Sequence, residues 1–400
     1  MSDSMKPPDG AAVPPPGTAG RLLDGTAMPP ARDSTPPAPR GEHVVDYPLV
    51  VEEGGATPPA LSARLRDPRT IVSIIVPILV LALVLISLPG FHLEQVPGLI
   101  AGANPLLLLA AFAIYYLGFP LRGYRWALLV RGAGDDLTVR DSTEIIFISW
   151  LVNCVVPAKL GDVYRAYLLR LNFNVSLSKT FGTVFIERIF DLFAIVLLGL
   201  AAGFWSFRDG LSTEVRIIFG IGIAVVVALA VGLFVIRNFG GRIVTRLPLP
   251  HRIVVLYERF EVGVFSISPR SLPLLAVVTG LIWATEAMRL YLVVLALGFP
   301  GISLGLSGAF FVALIASLLT AIPFTPAGLG IVELGIVGVL TTIYHVTQTE
   351  AAAIALVDRT ISVLSIIVLG SIVYVLSPKT KGGRGGSTAE PERRAETTTA

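Results

Sequence analysis

The sequence predicts an all-α polytopic membrane protein. Its core is an inverted repeat of helix, broken or re-entrant hairpin and helix, with about six full spans plus two hairpins. Three observations carry this reading. Of the 400 residues, 54% are hydrophobic and only 15% charged, where a soluble domain carries about a quarter charged residues. Apolar runs of about 20 residues, each long enough to cross hydrocarbon, recur between Ile71 and Ser377. A Pro-Ala-x-Leu-Gly-x-Val motif occurs twice among those runs.

Taken in order, residues 1–69 hold 14 of the 29 prolines and no sustained apolar period. Such a segment cannot bury enough surface to offset its ordering entropy, so it is expected to be a disordered Pro-rich cytoplasmic tail. It lacks the charged start, apolar stretch and small-residue site of a signal peptide. The membrane domain is expected over 70–377. Full spans are predicted at Ile71–Pro89, Pro105–Val130, Phe181–Phe207, Ile217–Ile236, Leu272–Leu297 and Ala351–Leu376. Two further apolar stretches break. Thr143–Val156 is too short to span and ends at Pro157 and Gly161. Leu304–Ala321 runs into Pro323, Pro326, Gly328 and Gly330, after which an apolar run continues to Ile343. Proline removes a donor and clashes with the preceding turn, and non-helical backbone at membrane depth is tolerated only where protein or a water-filled cavity covers it. Both stretches are therefore expected to be hairpins around a cavity. Residues 240–268 mix Arg252, Glu258, Arg259 and Glu261 with Ile253, Leu256, Tyr257 and Phe260, the pattern of an amphipathic helix on a membrane surface. Residues 378–400 are expected to be a second disordered cytoplasmic tail.

Basic residues set the orientation. They flank the first hairpin (Arg122, Arg125, Arg131 and Arg140 before it, Lys159, Arg165, Arg170 and Lys179 after it) and are missing from both flanks of the second. The first hairpin is thus expected inside, the second outside, and both termini in the cytoplasm. The motif repeats agree. Pro157–Val163 matches Pro326–Val332 at five of seven positions, and Glu187-Arg188 and Asp358-Arg359 follow at similar distances. The repeat units span about 105–207 and 271–376. Inverted repeats with discontinuous helices place a transport site near the bilayer midplane, between the repeats.

The polar residues of that region are the candidate substrate-binding set: Arg122, Arg125, Lys159, Asp162, Arg165, Glu187, Arg188, Asp191, Glu286, Arg289, Glu333, Asp358 and Arg359. Ionised side chains within a span face the bundle interior and pair with one another. Seven cations and six anions leave a slight positive excess. Arginines in a cavity suit a phosphate headgroup, because the guanidinium fork binds oxyanions through two hydrogen bonds. The alternative role for Glu187, Arg188, Asp358 and Arg359 is to lock helices together by pairing across the pseudo-symmetry.

Other chemistries are excluded. One cysteine, Cys154, and four scattered histidines offer neither a disulfide framework nor metal-ligand spacing. There is no phosphate-binding Gly-rich loop and no nucleophile motif, so no cofactor, no metal and no enzymatic activity are expected. A net charge of +3 gives no reason to expect nucleic acid.

The run Asn153-x3-Pro157-Ala158-Lys159-Leu160-Gly161-Asp162, with Arg165, Glu187-Arg188-x2-Asp191, Pro323-x2-Pro326-x-Gly328-x-Gly330-x2-Glu333 and Asp358-Arg359, resembles the flippase-like transmembrane domain of lysylphosphatidylglycerol synthases over residues 70–377. Asp162 stands where that family more often carries Glu. The resemblance implies translocation of an anionic phospholipid, or of a lipid-linked sugar, since stand-alone relatives occur beside polyprenyl-phosphate sugar pathways. The soluble aminoacyltransferase domain of the bifunctional relatives is not found here, so the synthase activity is not carried over. The expected function is a lipid flippase or scramblase in the plasma membrane. Two other readings stay open: an ion-coupled transporter of a small solute, and a non-transporting scaffold that recruits a lipid-modifying enzyme through its tails.

Overall fold

The computed structural model describes residues 92–381, apart from 157–158, 208–209, 211–212, 249, 301, 303 and 321–324, together with Leu79 and Leu83. The predicted span Ile71–Pro89, the tail 1–69 and residues 382–400 lie outside the described residues, apart from Leu79 and Leu83.

Every regular element among the described residues is helical. After a short helix α1 (Val96–Ala101) come α2 (Pro105–Gly132), α3 (Val139–Val155), α4 (Leu160–Phe173), α5 (Leu177–Ser206) and α6 (Thr213–Val235). A π turn leads on to α7 (Gly241–Arg246), followed by α8 (His251–Val264), α9 (Leu272–Leu297), α10 (Leu306–Thr320), α11 (Ile331–Thr342), α12 (Gln348–Arg359) and α13 (Ser365–Leu376). Among the described residues, four stretches are long and apolar enough to cross a membrane: Pro105–Gly132, Val215–Val244, Pro269–Leu297 and Gln348–Leu376. α5 equals them in length, with 30 residues, but carries Glu187, Arg188 and Asp191.

The ends of these helices follow from local sequence. Asn104 caps α2, its Oδ1 accepting from the N–H groups of Leu106 and Leu107 at 3.0 and 3.4 Å, and Pro105 at the first position loses no hydrogen bond. Thr138 caps α3 through the Asp141 N–H at 3.1 Å. Gly298, at φ 58°, ends α9 in the left-handed conformation that glycine adopts without a Cβ clash. Thr347 and Glu350 form a capping box at the start of α12.

α2 and α9 pack along each other and form the centre of the bundle. α5 is flanked by α8 and α10, and α13 lies on α3. Lipid tails are as apolar as leucine, so close packing and polar contacts hold such a bundle. Gly182 on α5 and Gly263 on α8 illustrate this: a Cβ on either would lie 2.8 Å from the other's Cα. Segment 240–268 is thus two helices, α7 and α8, and α8 is docked on α5 through Val255, Gly263 and Val264. α6 lies at the periphery, with 6% of its most apolar stretch buried against 56% for α9.

Pro378–Lys381, expected to begin the C-terminal tail, forms a 3-10 turn. Lys379 is buried because two carboxylates meet it: its Nζ lies 2.5 Å from Glu144 and 2.9 Å from Asp141, both on α3. Its carbonyl accepts from Asn172 Nδ2 on α4 at 3.0 Å. Burial works to lower the Lys379 pKa, but the hydrogen bonds and charges of Glu144 and Asp141 outweigh it and raise the value above that of an ordinary lysine.

A charged cavity between two helix breaks

α2, α3, α4, α5, α9, α10, α11 and α12 surround a cavity of about 340 Å³. Twelve of the thirteen charged residues singled out in the sequence line it, and Glu333 lies behind Arg359. Gly328 also lines it, whereas Gly161, Pro326 and Gly330 build the breaks at its edge. Pro157 and Pro323 fall outside the described residues.

The paired charges form two connected sets and one separate pair. In the first, Arg125 on α2 donates to Asp191 at 2.6 Å and to Glu187 at 2.8 Å, both on α5. Arg165 on α4 donates to the other oxygen of Glu187 at 2.5 Å and lies over the Trp126 ring, 3.8 Å from its centroid. Arg188 grips Asp162 with two hydrogen bonds, 2.7 and 3.1 Å. In the second set, Glu286 on α9 accepts from Arg122 at 2.5 Å and from Arg289 at 3.1 Å, and Arg289 also donates to the Asp358 carboxylate. Arg359 donates to Glu333 at 2.8 Å and to the Ala327 carbonyl.

The acid–arginine dipeptides therefore do not pair with each other across the molecule. Glu187 and Asp358 each reach back to an earlier helix, through Arg125 and Arg289. Arg188 and Arg359 each reach the helix that follows a break, at an acid 26 residues upstream in both cases. Among these charged residues, the ion pair that links the two halves is Arg122–Glu286, from α2 to α9. A dipeptide on one helix presents neighbouring residues about 100° apart, so its two side chains serve two different neighbours.

Each break is also closed by a side chain. The Gly161 N–H donates to Asn153 Oδ1 at 2.8 Å, and the Gly330 N–H to Glu333 Oε2 at 2.7 Å. Each holds a non-glycine residue in the left-handed region, Lys159 at φ 51° and Ala327 at φ 50°. Such residues are concentrated at functional sites. Lys159 is the cavity's one cation without an ion pair among the described residues. Arg188 is the most open arginine of the first set, with a third of its side chain exposed.

The lining also includes Tyr115, Trp150, Trp283, Thr320 and Thr325, which sequence reasoning did not select. Trp283 donates to Asp191 at 3.1 Å, and the Tyr115 hydroxyl donates at 3.0 Å to the carbonyl of Ser362, inside a π turn (Thr360–Leu364) that separates α12 from α13. Asn153 was visible only as part of a motif. Among the described residues no cluster of His, Cys, Asp and Glu is arranged to hold a metal ion.

The profile of the family described as the lysylphosphatidylglycerol synthase TM region matches residues 71–370. The chain belongs to that family. It is a multi-pass membrane protein, by its family and its apolar helices. Among its relatives, the UPF0104 membrane protein MJ1078 of Methanocaldococcus jannaschii is 35% identical over 227 residues, which cover 56% of this chain and 93% of that protein. The glycosyltransferase AglD of Haloferax volcanii is 28% identical over 355 residues, 79% of this chain and 56% of AglD. A UPF0104 membrane protein of Methanothermobacter thermautotrophicus is 26% identical over 310 residues, 72% of this chain and 89% of its own length.

Proposed function

We propose that this protein moves an anionic, phosphate-bearing lipid headgroup across the bilayer, with the charged cavity as the headgroup's path. The observation that carries the reading is a 340 Å³ cavity, walled by membrane-type helices, in which twelve charged residues converge. Charges within the membrane are costly and mark substrate or ion pathways. The two breaks, with the same wiring around Arg188 and Arg359, support an inverted pair of re-entrant hairpins, the first facing the cytoplasm and the second the outside. Both termini are then cytoplasmic, in the plasma membrane, and the protein carries out no chemical conversion. The name of the AglD relative, a glycosyltransferase, supports a sugar-bearing lipid as one cargo.

The test is headgroup translocation in proteoliposomes containing labelled phosphatidylglycerol, a zwitterionic phospholipid or a polyprenyl-phosphate sugar. Faster movement of an anionic lipid, lost in Arg188→Gln, is expected. If no lipid moves in vesicles holding folded protein, the reading fails. Solute-dependent currents would then favour a solute transporter, and loss of function on tail removal would favour a scaffold.

A further inference from the structure

The cavity's charges do not balance, and the imbalance has one address. The candidate set holds seven cations (Arg122, Arg125, Lys159, Arg165, Arg188, Arg289 and Arg359) and six anions (Asp162, Glu187, Asp191, Glu286, Glu333 and Asp358), so 7 − 6 leaves +1. The six arginines are all in ion pairs with these acids. The surplus charge is Lys159. It stands at the first break, immediately before α4, whose N-terminal end adds a partial positive charge of its own. Arg188, Asp162 and Asp191 line the same cavity as it does. Arg188, its guanidinium partly open to the cavity, keeps one nitrogen 3.7 Å from Asp191, beyond hydrogen-bond distance.

Deepening the transport reading and resting on it for the cargo, we propose that Lys159, with Arg188 beside it, forms a subsite for a single phosphodiester of charge −1. A phosphodiester brings the cavity to neutrality. A diphosphate diester brings two negative charges and leaves −1 uncompensated in a poorly solvated space, which is costly. A zwitterionic headgroup brings its own cation together with the phosphodiester and leaves the cavity at +1, with one more cation to accommodate. The cavity thus selects cargo by charge count: phosphatidylglycerol-like lipids and monophosphate-linked sugars are accepted, and diphosphate-linked ones are rejected. A lysine suits this role as a mobile point charge, where an arginine fork would compete for the acids already present. In the second break the matching position is Gly328, so the cavity has one such subsite and not two.

The test is binding to purified protein in neutral detergent, read by intrinsic tryptophan fluorescence. The probes are short-chain phosphatidylglycerol, short-chain phosphatidylcholine, a short-chain polyprenyl diphosphate sugar and glycerophosphoglycerol. Wild type is expected to bind phosphatidylglycerol at least tenfold more tightly than the zwitterionic or diphosphate probe. Lys159→Gln should weaken phosphatidylglycerol about tenfold or more, the scale of one charge-assisted hydrogen bond, and Lys159→Arg should restore most of it. Unchanged binding by Lys159→Gln, or tighter binding of the diphosphate, overturns the subsite. Weaker binding of glycerophosphoglycerol than of the lipid supports a lipid cargo; equal binding overturns the lipid assignment. If this binding order holds while no lipid moves in proteoliposomes, the subsite stands and the transport reading falls.

Discussion

The two breaks share a plan and differ in what closes them. In both, a glycine at the same motif position gives its N–H to a side-chain oxygen, and an arginine from a later helix secures the chain beyond the break. At the first break the oxygen belongs to Asn153, on the preceding helix α3, so the hydrogen bond ties both arms together. At the second it belongs to Glu333, within the first turn of α11, and the tie comes from Arg359, which holds both Glu333 and the Ala327 carbonyl. The first break is closed from within and still has a cation to spare. The second is closed from outside, by α12, and its charges are all engaged. On the proposed reading, one plan serves two tasks: the first break recognises and the second supports.

Three sets of substitutions test that division, the largest expected effect first. Glu187 neutralises two buried arginines, whereas Asp358 shares Arg289 with Glu286. Glu187→Ala is expected to cost about 3–5 kcal/mol, as for a broken buried ion pair, and Asp358→Ala less; equilibrium unfolding in mixed micelles measures both, and the reverse order would break the comparison. Asn153→Ala leaves the Gly161 N–H unpartnered, at a cost of about 1–3 kcal/mol. Hydrogen exchange by mass spectrometry should quicken around residues 155–165 and stay unchanged at 325–335. The smallest effect is expected from relieving the left-handed residues. Lys159→Gly and Ala327→Gly should each stabilise by about 0.5–1 kcal/mol, because the left-handed penalty of about 1–2 kcal/mol exceeds glycine's entropy cost. Only Lys159→Gly should lose anionic lipid transport. If both variants transport normally, the first break has no special role.

The charged lining was legible in the sequence because an ionised group in an apolar run has few places to go except inward. Twelve of the thirteen residues chosen on that ground do line one cavity. Their partners were not legible. Whether Glu187 meets Arg125 or a residue of the other half depends on how each helix is rotated about its axis, and apolar spans with little amphipathic contrast carry no record of that rotation. Tyr115, Trp150 and Trp283 were hidden for a related reason: in a hydrophobic run an aromatic ring is one apolar residue among many, and its polar atom leaves no periodic signal. Lys379 was hidden by its neighbours, since a lysine among Pro378, Thr380 and Gly382 has the composition of a solvated tail. The long α6 was the easiest to recognise and contributes no residue to the cavity lining.

The π turn at Thr360–Leu364 has a consequence for the winding of the last span. A π turn holds more residues than an α turn and arises as if one residue had been added to a finished helix. Everything beyond it is therefore shifted in phase by about 100° relative to an unbroken helix. That shift lets Asp358 and Arg359 face the cavity while α13 lies on α3, two directions that a single unbroken helix would not serve together. The Tyr115 hydroxyl, bonded to the Ser362 carbonyl, marks the point where the phase changes. Removing one residue between 360 and 364 would act as a twist, turning the acid–arginine pair away from its partners while leaving every side chain of that pair in the sequence.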